Sequence, residues 1–259
     1  MGTHHKDGTP EINARNCHYT GAIMILDDIL DEIENMPEIR VRDVAIGRSW
    51  TAVWSSSCGI ASNNGFIRDF EIPEMTHELL ELSRSWDPFY SSLGIATVNS
   101  VIEGGGKRCN AFDILMEECR NRKIAMVGEF PRRYTDRIRT VSDEFYILEI
   151  NPFKVNPKRG VFPETAAEQI IPRVDVLAVT GSTLVNHSTE RYLALAELDA
   201  FVAIIGPTTP MTDVFFEYGV DMIAGVEITD PVNILKKIRF NEGMLHEKDG
   251  GIIYRVMEA

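Results

Sequence analysis

The stretch VLAVTGSTLVNHS, Val176 to Ser188, decides the fold class. Four apolar residues run without alternation into Thr180, a polar Gly-Ser-Thr elbow follows, and a helical pattern begins beyond it. A strand apolar at every position is buried on both faces, as in a parallel sheet covered by helices on either side. The same unit recurs outward from this point. Ile124–Val127, Tyr146–Ile150, Val202–Ile205 and Met222–Val226 are further short apolar runs. Helix-length segments fit over Ala111–Arg120 and near 163–171, 188–198 and 212–218, and Asp230-Pro231 opens a last helix. Buried strands alternating with helices predict an α/β fold, a doubly wound parallel sheet over residues 109–259.

Residues 23–103 follow another rhythm. Ile23, Leu26, Ile29, Leu30, Ile33 and Met36 repeat at helical spacing up to Pro37. Ile39–Ile46 alternates like a half-buried strand, and Trp50–Ser55 reads as its antiparallel return. Trp50 and Trp54 share one strand face and read as core. Glu74–Ser83 is helical, and Asp87-Pro88 pairs an N-cap with a first-turn proline to open a helix through about Ile102. These elements predict an α+β domain. Between the halves stands Glu103-Gly-Gly-Gly-Lys-Arg108. A phosphate cradle of that composition must follow a strand, whereas this one follows a helix, so 104–108 reads as a linker. Residues 1–22, with His4, His5 and His18, read as a polar tail, and Met24 as a natural start.

Charge narrows the function. Thirty-nine acidic residues against 26 basic ones give −13, which disfavours nucleic acid and anionic membranes as partners. The dense basic run Arg132, Arg133, Arg137 and Arg139 reads as a solvated helix face, with an anion site as the alternative. Cys17, Cys58, Cys109 and Cys119 show neither a disulfide framework nor zinc spacing, which suits a reducing cytoplasm. No apolar run reaches the ~18–20 residues of a membrane span, and no signal peptide is visible. A homodimer is the prior oligomeric expectation.

In a doubly wound sheet, ligands sit outside the carboxyl ends of the strands. The residues there are Gly128-Glu-Phe-Pro131, Asn151-Pro152, Thr180-Gly-Ser-Thr183 and Gly206-Pro-Thr-Thr-Pro210. Glycine lets a ligand approach the backbone, and hydroxyls and free amides suit anionic oxygens. Gly128, Asn151, Gly181, Ser182, Thr183, Gly206, Pro207, Thr208 and Thr209 are therefore the candidate ligand-binding residues. The same residue types also build ordinary turns and caps. Cys58 is a candidate soft-metal ligand or nucleophile, with a small buried residue as the plainer alternative. Glu129 is the second candidate metal ligand, and it would repel a pyrophosphate. There is no G-x-G-x-x-G, Walker, G-x-S-x-G or H-E-x-x-H sequence. His187 with Ser182 and Asp175 supplies the residue types of a hydrolytic triad, though a helix cap explains the histidine as well. His77 and His246 read as structural. No acid–base pair stands out, so enzymatic activity stays undecided.

Seven motifs stand in order: GRSWTAV (Gly47–Val53), CGIASN (Cys58–Asn63), GIATVNS (Gly94–Ser100), ILEINP (Ile147–Pro152), VDVLAVTGSTLVN (Val174–Asn186), GPTTPM (Gly206–Met211) and FFEYGVDMIAGVEITDP (Phe215–Pro231). Together they resemble a prokaryotic family of unknown function labelled "putative heavy-metal chelation", over roughly Met24 to Phe240. The resemblance implies an enolase N-terminal-like domain joined to a Rossmann-like domain, with a site between them. It adds Asn63, Asn99 and Asn186 to the candidates. Family members often carry His where this chain has Glu129, which weakens a metal role for that loop here. The combined expectation is a protein binding a small anionic molecule or metal complex in the interdomain cleft. A transition metal ion is the cofactor candidate. The alternative is an enzyme using a nucleotide or an S-adenosylmethionine-like ligand.

Overall fold

The computed structural model describes residues 24–63, 67, 68, 70–102, 104–241, 247 and 250–259. The expected tail, with His4, His5, Cys17 and His18, lies outside them, as do Glu103 and His246.

The amino-terminal lobe begins with α1 (Met24–Glu34). The hairpin β1 (Asp43–Ile46) and β2 (Trp50–Trp54) follows, and then β3 (Cys58–Ser62). All three pair antiparallel in the order β1-β2-β3. The segments α2 (Thr76–Glu81) and α3 (Pro88–Val101) complete the lobe. Asp87 caps α3 by accepting from Phe89 N at 3.0 Å, ahead of the expected first-turn proline. β3 escaped the sequence reading because its residues are small and do not alternate. The reason is α3, which lies so close to β3 that a Cβ on Gly59 would stand 2.2 Å from the Ala96 carbonyl oxygen.

The carboxy-terminal lobe is an eight-stranded sheet. Its strands are β4 (Lys107–Arg108), β5 (Lys123–Val127), β6 (Glu144–Glu149), β7 (Val161–Pro163), β8 (Val176–Thr180), β9 (Phe201–Ile205), β10 (Met222–Ile228) and β11 (Ile252–Glu258). Their spatial order is β4-β11-β10-β9-β8-β5-β6-β7. From β7 to β10 neighbouring strands run parallel, while β11 runs antiparallel to both β10 and β4. From β5 the chain adds β6 and β7 on one side, then returns to add β8, β9 and β10 on the other. The order therefore reverses between β5 and β8, which makes the sheet doubly wound. β4, β7 and β11 were not foreseen. The last two residues of the expected linker are β4, bonded to Arg255 and Val256.

Burial on both faces explains the unbroken apolar runs. Ala125, Val127, Leu177, Val179 and Ile204 face one core, and Ile124, Met126, Val176, Ala178 and Ala203 face the other. The second core packs under α4 (Ala111–Glu118) and α5 (Arg132–Val141). The first core takes up the single turn α6 (Ala167–Ile170), α7 (Thr189–Leu195) and α8 (Val214–Glu217). It also takes up Ile25, Ile29 and Leu93 of the amino-terminal lobe. The helices expected near 163–171 and 212–218 are shortened by flanking prolines and by Gly219, which adopts φ 75°. The last helix, α9 (Pro231–Arg239), crosses back onto β1 and β2. It buries Ile234, Leu235 and Ile238 against Ala45, Ala52, Cys58 and Ile60. No helix of the described residues is long and apolar enough to cross a membrane.

Candidate functional site

A cavity of about 290 Å³ opens where the strand order reverses. The sheet contributes Glu129 and Phe130, Thr180 and Ser182, and Gly206 to Thr208 from the carboxyl ends of β5, β8 and β9, and Ala224 to Val226 from the middle of β10. The amino-terminal lobe contributes Ser49, Trp50 and Ser62. Two helix starts close a third side, Asn110 to Phe112 of α4 and Pro131, Arg133 and Tyr134 of α5. Tyr254 and Arg255 of β11 complete the wall.

Local chemistry holds these groups in place. The Asn110 side chain caps α4 by accepting from Phe112 N at 3.1 Å and donates to the Tyr134 hydroxyl at 2.8 Å. The Phe112 and Tyr134 rings stack with centroids 4.2 Å apart, and Phe130 meets Phe112 edge-on at 5.8 Å. Across the cleft, Ser62 N donates to Thr208 Oγ1 at 2.9 Å, while Asn99 Nδ2 donates to the carbonyls of Ile60 (2.9 Å) and Thr208 (3.0 Å). The Gly206–Thr209 turn is thereby pinned to the amino-terminal lobe. Gly181 permits this packing, since a Cβ there would lie 2.3 Å from Thr209 Oγ1. The Ser62 Oγ is buried and has no hydrogen-bond partner among the described residues. Burial holds the Tyr254 phenol above its usual range, opposed first by a hydrogen bond with the Glu247 backbone and then by Arg133, while Tyr134 adds to the rise.

Of the residues expected from the sequence, Glu129, Ser182, Gly206, Pro207 and Thr208 line this cavity. Gly128, Gly181 and Thr209 lie behind the wall and shape it: Gly128 takes φ 91° against the Thr180 side chain. The others have different duties. Thr183 bonds the Thr180 carbonyl and Thr189, each at 2.8 Å, and Asn63 donates to the Gly47 carbonyl at 2.7 Å. Asn151 and Asn186 are exposed and accept from their own following turns, at Phe153 N and Ser188 N. Cys58 is buried under α9, outside the cavity, and burial with the nearby Asp43 carboxylate pushes its thiol up to about 12. The residues of the imagined triad are apart. Asp175 accepts from Lys123 N at the opposite end of the strands, and His187 Nε2 lies 2.9 Å from the Ser83 carbonyl oxygen. The sequence reading missed Trp50, Asn110, Tyr134, Tyr254 and Arg255. Each comes from a strand start, a helix start or the unforeseen β11.

A family model described as "Putative heavy-metal chelation" (DUF364) matches residues 110–257, and a second with the same description (DUF4213) matches 28–102. The chain belongs to the DUF364 family. Among its relatives is an uncharacterized protein of Methanocaldococcus jannaschii, 24% identical over 184 residues, covering 68% of this chain and 70% of that one. A DUF364 crystal structure from Desulfitobacterium hafniense superposes with a TM-score of 0.79 at 21% identity, covering 92% of this chain and 99% of its own. Another from Pyrococcus horikoshii reaches 0.73 at 20% identity, covering 91% and 98%. Both are proteins of unknown function, and at these identities they show the shared fold.

The metal that the DUF364 description implies can be tested against the side chains. Among the described residues, the cavity offers one thiol, Cys109, and one carboxylate, Glu129, which already pairs with Lys154. Its other polar groups are mostly hydroxyls and the guanidinium groups of Arg133 and Arg255, poor company for a cation. Among the described residues, no three His, Cys, Asp or Glu side chains gather as a metal site. This donor set does not fit a bare heavy-metal ion, which wants several soft or charged ligands.

Proposed function

We propose that this protein binds a small organic molecule, free or as a metal complex, in the cavity between its two lobes. The observation that carries the reading is the wall itself. Strand tips at the reversal point, two helix starts and the facing lobe converge on one cavity. Apolar walls with a few fixed polar groups are the common make-up of small-molecule sites. The donor set favours a chelate held through its organic part over a bare ion, which reconciles the family description with the side chains present.

A nucleotide reading draws support from the strand order alone. Against it, Glu129 occupies the first strand-to-helix loop, where a pyrophosphate would sit. Native mass spectrometry of tag-free protein tests the proposal. Wild-type protein should retain a small molecule, or acquire one from a metabolite extract, and Ser49→Trp at the exposed cavity rim should lose it. Equal retention by both proteins would place the ligand elsewhere, and no captured molecule in either would end the proposal.

A further inference from the structure

A second, more open cavity of about 670 Å³ adjoins the first and shares with it Cys109, Asn110, Arg133, Tyr134 and Tyr254. Its remaining lining is charged: Arg108, Arg137, Asp113 and Glu247. The inner cavity is aromatic and the outer one is cationic, so the pair forms a single path from apolar floor to basic mouth.

Among the described residues the charges at the mouth do not cancel, since three arginines stand against two carboxylates. Arg108 is paired with Glu247 at 2.6 Å, but Arg137 reaches Asp113 only at 3.9 Å. Arg133 makes no ion pair among the described residues; its guanidinium lies 4.6 Å from the Tyr134 ring centre and donates to that hydroxyl at 3.0 Å. Arg133 and Arg137 stand one helical turn apart on α5, so both reach the same side. Arg139 instead covers the Phe145 ring at 4.2 Å. The basic run is therefore split between the cavity mouth and the surface. The starts of α4 and α5 border the same space, and helix starts favour negative charge. The inner walls carry Phe112, Phe130 and Tyr134 on one side and Trp50 on the other lobe.

We infer that the ligand is a planar aromatic oxyanion, its ring in the inner cavity among Trp50, Phe112 and Phe130 and its anionic group at Arg133 and Arg137. This rests on the proposed cleft function and names the chemical class it serves. Arginine presents a planar fork of donors that matches a carboxylate or phosphoryl group, and aromatic walls favour a flat body. Glu129, also in the inner lining and paired with Lys154, disfavours a second anionic group on the ring end.

The test compares three probes on the full chain by isothermal titration at pH 7: 2-naphthoate, the neutral 2-naphthol and inorganic phosphate. The expected result is that 2-naphthoate binds at least tenfold more tightly than either of the others. It should also quench tryptophan fluorescence in wild-type protein but not in Trp50→Phe. The exposed-face variant Arg133→Ala/Arg137→Ala should bring naphthoate down to the level of naphthol, a loss of about 10–100-fold for a charge-assisted contact. Equal binding of naphthoate and naphthol, abolished by Ser49→Trp, would overturn the oxyanion assignment and leave the cleft function standing. Phosphate binding as tightly as naphthoate would overturn the aromatic half. Binding of neither ring would overturn the inference, and the cleft function would then be judged by the retained-ligand comparison alone.

Discussion

Single residues at this site act by what they lack as often as by what they carry. Gly181 matters because a side chain would displace Thr209, and Ser62 because its buried hydroxyl finds no partner among the described residues. Cys58 matters in the opposite sense: small, buried and neutral, it fills the seam between β3 and α9. Its thiol and that of Cys119 are each pushed up to about 12, mainly by burial, from an ordinary value of 9.0. A raised thiol favours the protonated form in the folded state. Its contribution is therefore complete below about pH 9 and is lost as pH rises toward about 12. Thermal melts from pH 8 to 11 should show Tm falling above pH 9, and falling less steeply in Cys58→Ala/Cys119→Ala. Parallel curves for the two proteins would show that these thiols do not ionise on unfolding. The sequence flagged Cys58 for its chemistry because a thiol beside serines and asparagines looks like a cleft. Only its neighbours in space reveal that it is sealed.

Elements were legible to the degree that one local rule governed them. Asp87-Pro88 and Asp230-Pro231 announced α3 and α9, because a cap followed by a ring-fixed φ is decided within a few residues. The apolar strands β5, β8, β9 and β10 were legible because burial on both faces leaves no polar position. β3 was not, since its small residues answer to α3, a partner more than 30 positions away. α3 is buried nearly all round and so carries no polar stripe to betray which side meets the sheet. Gly59→Ala tests that contact. Its Cβ would press on backbone, at 2.2 Å from Ala96 O and 2.4 Å from Ser100 N, so no side-chain rotation can relieve it. The expected cost is about 1–3 kcal/mol or more, read as a lower urea midpoint at unchanged m-value. An unchanged midpoint would mean that α3 can move off the strand freely.

The two lobes behave as one molecule because they share cores. Ile25, Ile29 and Leu93 join the sheet's inner cluster, and α9 closes the amino-terminal sheet from the far side. Polar contacts then set the cavity width. Asn99 bonds carbonyls of both lobes at once, at Ile60 and Thr208. Asn99→Ala would leave two acceptors short of a donor, at about 1–3 kcal/mol each where buried. Hydrogen exchange at Ser62 N, which bonds Thr208 Oγ1, should accelerate while exchange in β8 stays slow. Acceleration spread over the whole chain would show a global loss of stability in place of a loosened latch. The sequence by itself determined the α/β class and which loops stand at the carboxyl ends of the strands. Both follow from local periodicity and capping. Tertiary structure alone decided which loop residues face the space, that Trp50 and the arginines of α5 border it, and that the candidate metal ligands do not assemble. Those outcomes depend on strand order and on one lobe folding over another, and no spacing along the chain encodes the distance between residues brought together that way.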